Sequence, residues 1–389
     1  MKTKKIISIY LSGFLAGLVL VLYPAAGNLF TDENFHGFSS SQFGNIFIPQ
    51  IFIAIIASFG ASKLADKITM KGVLLLGLLL LIVSTCFMSA SNFFMAGDLD
   101  FYLIMAGTAS LGAGFGFTIT ALNPFSYNLF PGKETSAVTA MHIMLGLGTA
   151  SASLVLDAFV KINYWYGAPI VTAIVLVLLL LFTLTVKLEL PSDESTSSSK
   201  SNKIPRRIWL FGIVVFFYAA GEATFGNWGS VFLEKQGGLS KSAAALGLSL
   251  FWGFVALGRL LFTLVALKFS TKWLYIIVPF ILAITFFIIP QINTKPLLLL
   301  LMSTAGTAMS FIFPKTISEA TDQYPAHASF ISGLSVGALQ LGSGLSSNII
   351  GSLNGKFSLG HLFQFSTLYA LIFGVLIIYL TLMPKAEKL

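Results

Sequence analysis

The chain has 389 residues, 56% of them hydrophobic and 10% charged, and 23 Lys and Arg against 15 Asp and Glu give a net charge of +8. A soluble chain of this length would carry about 25% charged residues, so the composition excludes an ordinary water-soluble globule. The single cysteine, Cys86, excludes an intrachain disulfide and a thiolate metal site, and the four histidines are scattered without metal-ligand spacing.

The apolar residues come in runs of about twenty, the length that crosses a ~30 Å hydrocarbon core as a helix. The pattern predicts an all-α membrane protein of twelve spans. Six lie over 6–28, 42–62, 72–92, 101–125, 135–158 and 166–187, and six over 208–232, 242–266, 273–290, 296–314, 328–351 and 362–384. The opening MKTKKIISIYLSGFLAGLVLVLYPAAG has the basic start, apolar middle and small residues of a signal peptide. It is read as an uncleaved first span because so many others follow. Span 1 carries Tyr23 and Asn28 and span 2 carries Gln50; the loop after span 2, SKLADKITMK, carries Asp66 and Lys67. Span 4 ends on ALNPFSYNLFP, with Asn123 ahead of Pro124. Span 5 holds His142, read as structural, and ends at Asp157, read as solvated. Residues 189–207, ELPSDESTSSSKSNKIPRR, are polar and Ser-rich and read as a flexible linker. They separate an N-terminal six-helix bundle, 1–188, from a C-terminal one, 208–389. Span 7 contains YAAGEATFGNW, with Glu222; span 8 contains Trp252 and Arg259; span 11 contains Gln340. Asp32, Glu33, Asp98 and Asp100 fall in outside loops and are assigned no chemistry.

Lys and Arg set the orientation. With the N-terminus in the cytoplasm, only Lys161, Lys235, Lys241, Lys295 and Lys356 fall outside, and Arg259 lies within a span. Both termini are then cytoplasmic, and the positive charge is a topology signal rather than a nucleic-acid one. The halves also repeat. LGLGTASAS (145–153) lines up with LQLGSGLSS (339–347), and Pro124 and Gly148 find partners in Pro314 and Gly342 at nearly the same offset. Parallel repeats of this kind place a solute site at mid-membrane between them.

This layout resembles the major facilitator superfamily. The loop SKLADKITMK is similar to a loop of that superfamily that carries Gly, Leu, Asp, a basic residue, Gly and a basic cluster. Leu64, Asp66, Lys67 and Lys71 fit it; Ser62 and Thr69 stand where glycines are usual and Met70 where a basic residue is. ITALNPFSYNLFPGKETS, GEATFGNWGSVFLEKQGGLSKSAAALGLSLFWGFVALGRL and MSFIFPKTISEA, followed by SGLSVGALQLGSG, are similar to stretches of the fucose permease-like and glucose permease-like symporters. The fucose permease type uses carboxylates in spans 1 and 4 for proton coupling. Here span 1 has no Asp or Glu, and Ile119 stands at the span 4 position.

Glu222 is therefore the coupling candidate. A carboxylate inside a span costs about 2.5–3.5 kcal/mol on insertion scales, and this one lies roughly 18–22 Å from either interface at 1.5 Å per residue. It is expected to carry a proton, coordinate Na⁺ or hydrogen-bond a sugar hydroxyl; the alternative is a neutral structural carboxyl hydrogen-bonded to a neighbouring helix. Gly221, Gly226 and Gly229 either let the helix open there, turning Asn227 and Trp228 inward, or serve close helix packing. Asn123, Asn227, Trp228, Gln340, Gln50, Asn28, Tyr23 and Trp252 are the solute-contact candidates, with Tyr218 a further ring to stack on a sugar face. Asp66, Lys67 and Arg259 are read as gate or structural residues. No Walker loop, nucleotide fingerprint, Ser-His-Asp pattern or zinc spacing occurs, so no catalytic or metal site is expected.

The expected function is secondary active transport of a small polar solute such as a monosaccharide, by H⁺- or Na⁺-coupled symport, in the plasma (inner) membrane. H⁺ or Na⁺ is the only cofactor expected, the solute and the lipid bilayer are the partners, and the chain is expected to be a monomer. The alternatives are a proton-coupled exporter of drugs or metabolites and a non-transporting receptor or lipid-flipping protein. The short tails argue against a receptor, and the polar candidate set leans toward uptake.

Overall fold

The computed structural model describes residues 2–95, 97–130, 132–190, 204–266 and 268–383; most of the expected linker, 191–203, lies outside them. Every regular element among the described residues is helical. That follows from the apolar runs: without water, backbone N–H and C=O groups must be satisfied within the segment.

A first set of helices comprises α1 (Lys2–Ala25), α2 (Gly27–Phe30), α3 (Ser40–Asn45), α4 (Phe47–Ser91), α5 (Leu99–Tyr127), α6 (Glu134–Val160) and α7 (Gly167–Thr185). A second set comprises α8 (Arg206–Lys235), α9 (Lys241–Ala266), α10 (Lys272–Ile288), α11 (Lys295–Met309), α12 (Ile312–Gln323), α13 (Ala328–Leu353), α14 (Leu359–Phe365) and α15 (Thr367–Leu382). Among the described residues ten helical segments are long and apolar enough to cross a membrane, and one of them runs for 55 residues. That long segment contains α4, which breaks at Thr69, where φ is 67° and ψ 160°. The residues expected as a loop after span 2 are thus mostly helical, and the reversal is confined to one residue. Ile56, Leu178, Leu181, Leu264, Ile284 and Leu368 are exposed on helix surfaces, as lipid-facing side chains must be.

Within each set, glycine lets helices touch at the backbone. A Cβ at Gly148 of α6 would run into the Phe14 carbonyl of α1, and one at Gly342 of α13 into the Phe216 carbonyl of α8. The two glycines aligned in the sequence make matching contacts, the small-residue packing of membrane helices. The sets meet where α6 packs on α9, where α3 and α4 pack on α13, and where α1 and α2 pack on α8.

Candidate solute and coupling site

Helix α8 is unbroken from Arg206 to Lys235. Of the two readings for the glycines around Glu222, the helix opening near Gly226 does not occur. Gly226 is needed for packing instead: a Cβ there would stand 2.7 Å from Cζ2 of Trp252 on α9. Glu222 lies near the middle of this helix, roughly 20–24 Å from either end at 1.5 Å per residue, and is half-buried.

Tyr218, one turn earlier and fully buried, donates its hydroxyl to Oε1 of Glu222 at 2.5 Å. The spacing is i,i+4, so one helix face presents both groups. Arg259 of α9 acts electrostatically on Glu222 and Tyr218. Its Nε donates to the Ser310 carbonyl at 3.2 Å. That carbonyl is available for a definite reason. Pro314 stands four residues later and has no N–H to return to it, and the chain breaks there between α11 and α12. Arg259, read as a gate or structural residue, joins a carboxylate, a phenol and a broken helix in one cluster.

The solute-contact candidates separate into two groups. Gln50, Asn123, Trp252 and Gln340 are half-buried. Gln50 Oε1 and Trp252 Nε1 have no hydrogen-bond partner among the described residues, and the Trp252 ring lies one turn from Glu222, against Gly226. The rest are engaged elsewhere. Tyr23 is fully buried and donates to the Ser84 carbonyl at 2.9 Å, a contact inside the first set. Trp228 is fully buried, donates Nε1 to the Ser347 carbonyl at 3.2 Å and meets the Phe43 ring edge-on at 4.9 Å. Asn227 donates to Ser347 Oγ at 2.8 Å. Asn28 donates to Ser230 Oγ at 2.9 Å, across the two sets. With α8 unbroken, neither Asn227 nor Trp228 turns inward as a helix break would have allowed. Asp66 and Lys67 are exposed just before the Thr69 break.

The hydrogen bonds joining the two sets cluster at the end remote from the basic loops, called the outer end here. Lys241 Nζ lies 2.6 Å from Asp32 Oδ2, Lys235 donates to the Thr31 carbonyl at 3.0 Å, and Ser242 donates to Asp157 at 2.7 Å. Ser153 and Ser249 pair at 2.7 Å, Asn354 donates to Ser40 at 2.6 Å, and Asn348 donates to Asn45. A cavity of about 20 Å³ among Asn28, Ser153, Asp157, Ser230 and Lys241 lies in this seam, enough for about one water. Asp157, expected to be solvated, is buried and bridges the sets. Asp32 and Asp100 also have uses that the sequence hid. The Lys241 ammonium holds the Asp32 carboxyl below the usual carboxylate range, helped by the Asn34 amide. Asp100 is buried in the first turn of α5 and pairs with His36 Nδ1 at 2.8 Å. Burial pushes the His36 imidazole below its ordinary pKa, against the opposing pull of Asp100.

Comparison with known proteins fits this geometry. A profile of the Major Facilitator Superfamily matches residues 7–347. The glucose/mannose transporter GlcP of Bacillus subtilis (strain 168) is 23% identical over 278 residues, which cover 65% of this chain and 68% of GlcP. Among solved structures, a mutant of the nucleoside transporter NupG superposes with a TM-score of 0.78 at 15% identity, over 97% of this chain and 99% of the other. The transporter FucP in its outward conformation superposes with a TM-score of 0.64 at 16% identity, over 98% and 99%.

Proposed function

The chain belongs to the Major Facilitator Superfamily, and from that premise we propose that it is a proton-coupled symporter of a small polar solute, a monosaccharide or close relative. It would have twelve spans in two six-helix halves, 1–188 and 208–389, both termini in the cytoplasm of the plasma (inner) membrane, and act as a monomer. The two halves rock about a central site. The observation that carries this reading is Glu222, held at mid-depth by Tyr218 and Arg259. The transported sugars in the name of GlcP favour a sugar here. The matching contacts of Gly148 and Gly342 favour the two-half repeat.

A proton suits this site better than Na⁺. Sodium needs several oxygen ligands and a local excess of negative charge. Arg259 already supplies the positive charge beside Glu222, so a metal cation would have to displace it. A proton only neutralises the carboxylate and releases Arg259 from it. Gln50, Asn123, Trp252 and Gln340 are the solute contacts of choice, since they are half-buried and two of them keep unpaired polar atoms. The hydrogen-bonded outer seam corresponds to a state closed on that side.

The test is uptake into proteoliposomes, with glucose and mannose tried first. The wild type is expected to accumulate solute under an imposed pH gradient and not under a Na⁺ gradient alone. Glu222→Gln is expected to keep solute exchange but lose accumulation. Accumulation by that variant against the solute gradient would sink the role of Glu222.

A further inference from the structure

Across the seam from Arg259 stands His142. Helices α6 and α9 run antiparallel and keep one register along their contact. Asp157 meets Ser242, Ser153 meets Ser249, a Cβ at Gly253 would touch Ala150, and one at Gly146 would press on Ala256. From Ser153 inward, each step along α6 is matched by a nearly equal step along α9. One further turn brings His142 level with Arg259, and the two side chains interact electrostatically. His142 is half-buried.

Its other neighbours cannot balance a charge. Helices α1, α5 and α7 also pack on α6. From α1 comes Tyr10, whose hydroxyl donates to the Ala137 carbonyl at 3.2 Å. The titratable groups of α5 are Asp100 and Tyr102 near its outer end and Tyr127 at its inner end, and α7 has none. On α6 itself Glu134 and Asp157 lie near opposite ends. Arg259 is therefore the charge that His142 faces, and Glu222 compensates Arg259.

The charges can be counted along this line. With Glu222 ionised and His142 neutral, the line is balanced. One proton, on either group, leaves one net positive charge. A proton on both leaves two, in surroundings that screen like charges poorly. We propose that Glu222 and His142 are alternative bearers of one proton, one on each helix set, with Arg259 the fixed cation that keeps both from carrying it at once. The proposal rests on Glu222 as the coupling group. It assigns His142 the part that links proton binding to helix movement. A proton on Glu222 leaves the α6–α9 contact without a new charge. A proton on His142 sets like charges on both sides of it and pushes the inner ends apart.

The experiment measures that separation and needs no solute. Spin labels go on Lys133→Cys and Lys268→Cys, exposed positions at the inner ends of α6 and α9, in a Cys86→Ala background. Electron–electron distance distributions are recorded in lipid from about pH 3.5 to 8, a range that extends below that of an ordinary imidazole. The parent is expected to shift to longer distances on acidification. His142→Gln and His142→Asn are each expected to abolish the shift, and so is Arg259→Gln, which removes the like charge. A parent without a pH-dependent shift overturns the proposal, as does a shift that persists in the folded His142 or Arg259 variants. Any of those failures leaves the uptake result with Glu222→Gln standing, so the two readings fail separately.

Discussion

Glu222 keeps a charge in the membrane because two neighbours supply what lipid withholds. Its insertion cost of about 2.5–3.5 kcal/mol is comparable to a charged hydrogen bond of about 1.5–3 kcal/mol, which Tyr218 offers at 2.5 Å, with Arg259 adding its field. The carboxylate was legible in the sequence as an isolated acid at mid-span. Its Tyr218 partner stands at i,i+4 but is read from the sequence only as a ring for a sugar face. Arg259 was not legible as a partner, because one sequence does not say which faces of α8 and α9 meet. His36 shows the same limit. In the sequence it is one loop residue among several. In the fold its side chain is fully buried against Asp100, with Phe30, Phe38 and Trp165 rings 5.2, 5.2 and 5.4 Å from it. Because burial lowers its folded pKa, the unfolded chain binds a proton below about pH 6.5 that the folded chain refuses. The stability His36 contributes is then present above that pH and falls as pH drops toward the lowered value. The melting temperature of the detergent-purified protein should therefore fall between pH 7 and pH 5, and by less in His36→Gln. An equal fall in the variant would place the sensitivity elsewhere.

Helix lengths could be read from hydropathy, because each run must match the thickness of the bilayer. Helix breaks were harder to read. The interruption between α11 and α12 was marked by Pro314, yet its use became visible only when Arg259 was found on the Ser310 carbonyl. The break in α4 sits on Thr69, a residue that gives no turn signal. A β-branched side chain at φ 67° is strained, by about 1–3 kcal/mol. Part of that is offset where Thr69 Oγ1 accepts from the Gly72 amide at 3.3 Å. Thr69 stands where glycine is usual in the resembling family loop, and glycine adopts this conformation freely. Thr69→Gly should raise the stability by about 1 kcal/mol, visible as a higher thermal transition. Thr69→Val keeps the strain, loses the hydrogen bond and should lower it. If both variants melt below the parent, the reversal is not strained by its side chain.

At the scale of the whole molecule, the outer seam is held by polar side chains where a permanent interface would be apolar. That is suited to a contact that must open. Among the described residues its ion pair is made by Lys241, which reaches from α9 to Asp32 at 2.6 Å and lies 5.1 Å from the Phe35 ring centre. None of this was visible in the sequence, where Asp32 and Lys241 are 209 residues apart. Both side chains are partly exposed, at 36% and 22%, so the pair should contribute no more than about 1 kcal/mol. That is enough to move a balance between closed and open seams by about two- to fivefold. Ser153, buried in the seam at 1% exposure, reports the balance as Ser153→Cys in the Cys86→Ala background, labelled by a membrane-impermeant maleimide. Lys241→Met should speed labelling by that factor, and added salt should speed the parent but not the variant. The lowered carboxyl of Asp32 fixes the pH response. The contribution of the pair is full above the ordinary carboxylate pKa of about 3.9 and is lost only as pH falls through the lowered value. The ratio of variant to parent labelling should therefore be the same at pH 5 and pH 8. A ratio that collapses toward one at pH 5 would mean that another titrating group holds the seam shut.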